Sequence, residues 1–255
     1  MEILELLNKK VKEYNKPKFI ETDPISIPHQ FNNQKDIEIS GYLTSIISWG
    51  RRPAILKSAN RLMEIMGHEP YNFVMNAGKT DLKQLEGYVY RTFNPDDCFF
   101  AIEAMKNLYS NYESMEELAN KSFSEKNEIK DVIIGIRKEL LKTEHLKRSE
   151  KHFANPETGS AAKRTNMFLR WMIRQDLNGV DFGIWKKIPA SALMIPLDVH
   201  SGNTARTLGL LTRKQNDWKA VEELTAQLRE LDTNDPIKYD FALFGMGVFE
   251  GKALL

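Results

Sequence analysis

The chain has 255 residues, a formal net charge of +1, 42% hydrophobic residues and 28% charged residues, values typical of a folded globular protein. They exclude a collagen, a coiled coil and a chain that is disordered throughout, and the balanced charge gives no overall field that would attract nucleic acid or a membrane. The single cysteine, Cys98, excludes an internal disulfide, a four-cysteine zinc site and an iron–sulfur cluster. The five histidines form no HExxH motif, so we expect no metal and no other cofactor.

The first half of the chain is predicted to be a series of helices. An amphipathic helix opens the chain and ends near Pro17, and the proline-containing stretch 21–31 is expected to be an extended connector. A largely apolar, and therefore central, helix follows at 36–48, and Pro53 begins the next helix after a basic turn. Shorter helices are expected at 71–76, 80–85, 96–109, 115–122 and 128–142, with a brief segment at 87–93 that is equally compatible with a strand or a turn.

The second half is also predicted to be helical. A turn-rich break at 152–159 precedes a helix from about Ser160 to Arg174. Three further helices fit 198–208, 217–231 and 235–249, each opened by an aspartate suited to capping. No strand segment is comparable with these helices, so the fold class is predicted to be all-α. No apolar run approaches the roughly 18 residues that cross a bilayer, and no signal peptide is apparent, so a cytoplasmic location is expected.

Positive charge is concentrated in one part of the chain. The segment Gly135 to Arg174 contains ten Lys or Arg against four Glu. Clustered cations of this kind bind the phosphates of nucleic acid in a salt-dependent manner, because each contact releases counterions. The alternative interpretation is a helix face that is merely solvated.

Two residues are candidates for chemistry. Lys163 lies in the first turn of its predicted helix among three arginines, and cationic neighbours favour the neutral amine that a nucleophilic lysine requires. A lysine at a helix start is otherwise an ordinary surface residue. Asp198 follows the apolar run 193–197 and begins the next helix. It is either a plain N-cap or a catalytic carboxylate that the helix dipole keeps ionised, and the two roles are compatible.

Several segments resemble known families. The stretch Ile195-Pro-Leu-Asp-Val-His200, followed by Asn203-Thr-Ala-Arg-Thr-Leu-Gly-Leu210, resembles the V-D-x-H-V-x-R-x-x-x-R-L-G-L stretch of the helix-hairpin-helix base-excision DNA glycosylases, the superfamily of endonuclease III and the 8-oxoguanine glycosylases. The stretches 163–174, 210–218 and 235–245 resemble the bacterial DUF2400 family, which we associate with that superfamily. The L-P-G-V-G-x-K hairpin is absent, and Gly159-Ser-Ala-Ala-Lys163 stands in its place.

The resemblance implies a fold, a reaction and a partner. It implies two helical lobes with a cleft between them, a barrel-like lobe at 30–175 and a second lobe at 1–29 plus 176–255. Lys163 is implied as the nucleophile that attacks C1′ of a damaged nucleoside, and Asp198 as the carboxylate that supports the developing positive charge. A Schiff base at the lysine would add AP-lyase activity to base excision. The implied partner is damaged duplex DNA, with the protein on the bacterial nucleoid when bound.

The candidate DNA-binding residues come from the basic turn, the basic segment, the replaced hairpin and the helix after Asp198. They are Arg51, Arg52, Lys151, Gly159, Ser160, Arg164, Arg170, Arg174 and His200. The aromatic residues expected to stack on a flipped base are Trp49, Phe168 and Trp171, with Trp185 as a further candidate. Aromatic residues at helical spacing more often belong to the core, which is the alternative interpretation for each of them.

Two other interpretations remain open. The first is a non-catalytic DNA-binding protein of the same fold, which the missing hairpin glycines favour. The second is a helical protein-interaction domain whose basic segment is only a solvated face. Salt-dependent duplex binding separates the last from the others, and borohydride trapping of a Schiff base separates an enzyme from a DNA-binding protein.

Overall fold

A computed structural model describes residues 2–250 and confirms an all-α fold. Among these residues there is no strand, and only two isolated bridges occur, Tyr90 with Phe93 and Ser160 with Asp217. The described residues form twelve α-helices: α1 Ile3–Tyr14, α2 Gln34–Ile47, α3 Arg52–Ile65, α4 Pro70–Asn76, α5 Lys79–Lys83, α6 Pro95–Asn111, α7 Met115–Lys126, α8 Ile129–Leu140, α9 Lys163–Ile173, α10 Val199–Thr207, α11 Trp218–Leu231 and α12 Tyr239–Gly245.

The chain divides into two compact units. The middle unit comprises Glu21–Ala154, and the terminal unit comprises Met1–Ile20 together with Asn155–Leu255. These divisions lie earlier in the chain than the boundaries expected after residues 29 and 175, so α9 belongs to the same unit as α10, α11 and α12. No helix within residues 2–250 is both long and apolar enough to cross a membrane.

The middle unit is built around α2. Every residue of this helix from Ile37 to Ile47 is buried, in agreement with the apolar surface predicted for it. Its buried acid Glu38 accepts hydrogen bonds from the Tyr109 hydroxyl at 2.7 Å and the Met115 amide at 2.9 Å, because a buried carboxylate needs donors. The helices α3 and α4 pack on α2, and α7 and α8 pack on each other.

The terminal unit joins the first helix of the chain to the last. The helix α1 packs on α12, as expected for the opening helix, and α10 packs on α12 as well. The segment between α9 and α10 has little regular structure, and it is bound to the end of α9 through backbone hydrogen bonds. The Phe182 amide donates to the Trp171 carbonyl at 2.8 Å, and the Trp185 amide donates to the Met172 carbonyl at 2.9 Å.

Some predicted elements differ from those observed. The expected extended connector instead forms 3-10 turns at Pro17–Thr22, Pro24–Ser26 and Pro28–Gln30, since proline favours the first position of a tight turn. The helix predicted from Ser160 begins at Lys163, because Ala162 adopts φ +48° and ends the loop before it. The helix predicted for 235–249 is divided into a 3-10 turn, α12 and one π turn at Met246–Glu250.

Candidate active site

Asp198 is the N-cap of α10, and the buried run 193–197 leads to it. Its Oδ1 accepts hydrogen bonds from the amides of His200 at 2.9 Å and Ser201 at 3.0 Å. In return, the Asp198 amide donates to the Ser201 hydroxyl at 3.0 Å, which completes a capping box. The side-chain amide of Asn216 donates to the Asp198 carbonyl at 3.0 Å. These bonds fix the position of the carboxylate, and they confirm the predicted cap.

Lys163 is the first residue of α9 and lies close to Asp198 in the same unit. Its Nζ is 4.0 Å from Asp198 Oδ2, with the two side chains 29% and 23% exposed. The same Nζ lies 3.4 Å from the sulfur of Met167, one turn along α9. The two carboxylate oxygens of Asp198 therefore have different partners, because Oδ1 accepts the cap bonds while Oδ2 faces the amine. Lys163 and Asp198 are thus both partly accessible and adjacent.

The loop that replaces the hairpin, residues 159–162, is anchored to the start of α11. The Trp218 amide donates to the Gly159 carbonyl at 3.0 Å. The Ser160 hydroxyl accepts a hydrogen bond from the Ala162 amide at 3.2 Å. Ala162 is the N-cap position of α9 and supplies no side-chain cap, so the first-turn amides of α9 receive no acceptor from it. The hydrogen bonds of Gly159 and Ser160 anchor the loop, and Lys163 directly follows it, so the loop positions Lys163.

Asp240 of α12 is a further acidic residue of this region, and the sequence analysis assigned it no role. It is 6% exposed and binds the guanidinium of Arg170 through Oδ2. The pKa of Asp240 is raised to about 6, mainly because the carboxylate is buried; the charge of Asp198 also raises it, whereas Arg170 and Lys163 oppose the rise. Asp240 lies in the segment 235–245 that resembles the DUF2400 family, but one acid in a helix carries no chemical signal of its own.

Arg170 and Arg174 are buried in ion pairs. Each is 3% exposed. Arg170 Nε lies 3.1 Å from Asp181 Oδ1, and Arg174 Nη1 lies 2.8 Å from Asp181 Oδ2. Arg174 Nε also lies 2.9 Å from Asp235 Oδ1. Because these guanidiniums are buried and bound to carboxylates, the structure does not support their expected contact with DNA phosphates. They bind acidic side chains of their own unit instead.

The other candidate DNA-binding residues lie in two separate groups. Gly159, Ser160 and His200 are exposed and Arg164 is half-buried, and all four belong to the terminal unit that holds Lys163 and Asp198. Arg51, Arg52 and Lys151 belong to the middle unit. Arg51 and Lys151 are exposed, while Arg52 is half-buried with its Nη2 3.9 Å from Asp23 Oδ2.

The aromatic candidates are mostly core residues. Phe168, Trp171 and Trp185 are at most 1% exposed, and the rings of Phe168 and Trp185 pack edge to face with their centroids 5.6 Å apart. These three rings are too enclosed to stack on an extruded base in this conformation, so the structure favours the core interpretation for them. Trp49 is half-buried in the middle unit, where it stacks on His152 with a centroid distance of 5.7 Å.

Within residues 2–250, no group of three or more His, Cys, Asp or Glu side chains is arranged to hold a metal ion. The comparisons with known proteins give one result. The family model described as "Protein of unknown function (DUF2400)" matches residues 23–249. No curated protein and no solved structure matches the chain. Because the family match covers most of both compact units, the chain belongs to the DUF2400 family.

Proposed function

We propose that this protein is a DNA glycosylase with AP-lyase activity, resembling the helix-hairpin-helix glycosylases, in which Lys163 is the nucleophile and Asp198 stabilises the cationic sugar. The observation that carries the proposal is the separation of 4.0 Å between Lys163 Nζ and Asp198 Oδ2, with Asp198 fixed as a helix cap. A nucleophilic amine beside an immobilised carboxylate is the arrangement that this chemistry needs.

The proposed reaction assigns one task to each side chain. The lone pair of the neutral Lys163 amine forms a bond to C1′ as the bond from C1′ to the damaged base breaks, and the base departs with the bonding electrons and takes a proton. The C1′–O4′ bond then breaks, O4′ takes a proton from water, and a protonated Schiff base forms between Nζ and C1′. The charge of Asp198 stabilises the cationic centre at C1′ during these steps, because its position is fixed before the reaction begins. Water hydrolyses the Schiff base and releases the lysine, either directly or after β-elimination, in which loss of a C2′ proton breaks the 3′ C–O bond and the 3′ phosphate departs.

The surroundings of the pair fit a nucleic-acid substrate. Lys163 is preceded by the exposed loop residues Gly159 and Ser160, and Arg164 follows it in the first turn of α9. Backbone amides at a helix start and a nearby cation are groups that bind phosphate. His200 is exposed in the first turn of α10 beside Asp198. These amides and side chains are candidate phosphate-binding groups near the amine and the carboxylate.

Borohydride trapping tests the proposal directly. Wild-type protein is incubated with duplexes that carry an abasic site or an oxidised purine, and borohydride reduces any Schiff base to a stable secondary amine. We expect a covalent protein–DNA adduct from the wild type and none from Lys163→Ala. The matched control is Lys187→Ala, which removes an exposed lysine from the same unit and is expected to keep the adduct. An equal adduct from Lys163→Ala would assign the nucleophile to another amine.

The same experiment separates the alternative functions. Duplex binding by the wild type without any adduct would favour a non-catalytic DNA-binding protein. Base release without an adduct would indicate a glycosylase in which Asp198 activates water in place of a lysine nucleophile. An absence of duplex binding at low salt would favour a helical protein-interaction domain.

A further inference from the structure

The side chain of Asn216 is fixed between two groups of α10. Its Nδ2 donates to the Asp198 carbonyl at 3.0 Å, and its Oδ1 accepts a hydrogen bond from Arg206 Nη2 at 2.6 Å. A guanidinium can only donate, so the oxygen of the Asn216 amide must face Arg206 and its NH2 group must face Asp198. Arg206 is held in turn, because its Nε donates to the Arg213 carbonyl at 2.8 Å. The Asn216 amide therefore has one orientation.

The helix α10 leaves space for this amide at Gly202. A Cβ atom at Gly202 would lie 2.9 Å from Asn216 Oδ1 and 3.0 Å from Arg206 Nη1. The Gly202 amide donates to the Asp198 carbonyl at 2.9 Å, and the same oxygen accepts from Asn216 because a carbonyl has two lone pairs. The absence of a side chain at Gly202 thus lets Asn216 reach the backbone from which the Asp198 carboxylate extends.

The two residues after Asn216 hold the loop 159–162, which leads into α9. The Asp217 backbone forms an isolated bridge with this loop, and the Trp218 amide donates to the first carbonyl of the loop at 3.0 Å. Three consecutive residues thus contact both the start of α10 and the loop that positions the proposed nucleophile. A shift of α10 relative to these residues changes the distance of 4.0 Å between the amine and the carboxylate.

We propose that Asn216 is a positioning residue that sets the distance between Lys163 and Asp198, by fixing the start of α10 to the segment that also anchors the loop before Lys163. The inference rests on the proposed function for its role in catalysis. The Asn216 side chain binds the backbone of Asp198, whereas the two carboxylate oxygens face the cap amides and the amine. Asn216 therefore acts through Asp198 and not on the substrate.

A zero-length cross-link reports this distance without DNA. The carbodiimide EDC activates a carboxylate, a neighbouring amine attacks the activated carbon, a urea departs, and an amide joins the two side chains. Lys163 Nζ and Asp198 Oδ2 are adjacent and partly accessible, so mass spectrometry of the wild type should detect the two peptides joined. In Asn216→Ala we expect the yield of this cross-link at a fixed time to fall on the order of tenfold, because reactions between held groups depend steeply on geometry.

Two further variants make the test specific. Asn216→Asp keeps an oxygen for Arg206 but cannot donate to the Asp198 carbonyl, so its cross-link yield is also expected to fall. Asn178→Ala is the matched control, because Asn178 Nδ2 donates to another backbone carbonyl of the same unit, that of Asn15, at 2.8 Å. Its yield should stay within about twofold of the wild type, since the lost bond holds neither member of the pair. Thermal melts verify that each variant is folded.

Trapping kinetics distinguish positioning from binding. In single-turnover borohydride trapping with a saturating abasic duplex, Asn216→Ala should form the adduct about 10- to 100-fold more slowly than the wild type, because a small misplacement of reacting groups has this effect on rate. The Kd for the duplex should change little, since the phosphate-binding groups are retained. An adduct rate equal to that of the wild type in the folded variant would contradict the inference.

The outcomes separate the two proposals. The inference is overturned by the absence of a cross-link between Lys163 and Asp198 in the wild type, by an unchanged or higher yield in the folded Asn216 variants, or by an equal fall in Asn178→Ala. A fall specific to the Asn216 variants supports it. A wild type that gives the cross-link but traps no DNA would remove the proposed lysine chemistry, while the effect of Asn216 on the geometry of the pair would still be measured.

Discussion

Asp198 uses its two carboxylate oxygens for different purposes. Oδ1 accepts the amide hydrogen bonds that cap α10, and Oδ2 faces Lys163 Nζ at 4.0 Å. An amide side chain keeps an oxygen that can accept the cap bonds, but it carries no negative charge. The structural and the proposed chemical contributions of this residue can therefore be separated by one substitution.

Asp198→Asn is expected to slow base release about 100-fold or more while duplex binding changes little. A factor of 100 corresponds to about 2.7 kcal/mol of transition-state stabilisation, the size of effect seen when one electrostatic group is removed. Single-turnover kinetics on a lesion-containing duplex measure the rate. Asp217→Asn is the control, because Asp217 caps α11 by accepting the Ala220 amide at 3.1 Å. An equal slowing in both variants would make Asp198 a cap alone.

The raised pKa of Asp240 predicts how the free energy of unfolding depends on pH. Because its pKa is raised to about 6, the folded state binds more protons than the unfolded state between about pH 4 and pH 6. This group therefore favours folding at low pH, and its contribution is lost as pH rises through that window. Asp240→Asn cannot titrate, so its free energy of unfolding relative to the wild type should rise with pH by up to about 3 kcal/mol. Urea unfolding at pH 4.5 and pH 7 measures the difference, and parallel pH dependences would contradict the prediction.

At the residue scale, the sequence predicted the interactions of some side chains and not those of others. The cap at Asp198 was predictable, because a capping residue depends on its own helix. The pairing of Arg170 with Asp240, 70 residues away, depends on how α12 packs on α9, and no local pattern contains that information. For the same reason two arginines at the end of the basic segment were expected to contact DNA, although the fold buries them against acids.

At the element scale, the packing of α1 on α12 requires a residue without a side chain. A Cβ atom added at Gly245 would overlap the ring of Tyr14. The Tyr14 ring also stacks on Phe249 with a centroid distance of 5.6 Å, so it cannot move away without loss of that contact. Gly245 thus permits the close approach of the first and the last α-helix of the terminal unit.

Gly245→Ala is expected to lower the free energy of unfolding by about 1 to 3 kcal/mol, as is usual when atoms are added to a packed interface. Denaturant unfolding followed by circular dichroism measures the change. Gly87→Ala serves as the control, because no atom lies within 4 Å of the position that its Cβ would occupy. Its effect should stay within about 0.5 kcal/mol. A neutral Gly245→Ala would show that α1 and α12 separate easily.

Most helices were predictable from the sequence because their amphipathic periodicity and caps are local. The central helix predicted at 36–48 is observed at Gln34–Ile47, and the helix predicted at 217–231 is observed at Trp218–Leu231. The start of α9 was predicted less accurately, because Ala162 has a positive φ and belongs to a loop that is bound to α11. That contact joins segments that are distant in sequence. The same loop determines where Lys163 lies, so the site geometry was not readable from the motif alone.

At the scale of the whole molecule, the basic segment is largely neutralised by its own fold. Of its ten basic residues, six form ion pairs with carboxylates: Arg137, Lys142, Lys147, Arg148, Arg170 and Arg174. Lys163 faces Asp198 in addition. A cation that is already bound to a carboxylate releases few counterions when it meets a phosphate. The positive charge counted in the sequence therefore exceeds the charge that the folded segment leaves available to bind phosphate.

The salt dependence of duplex binding measures how many cations of the protein contact phosphates. If about three cations contact phosphates, the slope of log K against log salt concentration should be about −3, whereas ten contacts would give about −9. Lys151→Gln, which removes an exposed lysine of the basic segment, should reduce the slope by about 1 and weaken binding uniformly across sequences. Lys142→Gln is the control, because Lys142 already pairs with Glu139 at 2.6 Å, and it should leave the slope unchanged. Fluorescence anisotropy between 50 and about 200 mM salt gives both values. A slope near −9, or an equal effect of the two variants, would show that the ion pairs of the folded protein open when DNA binds.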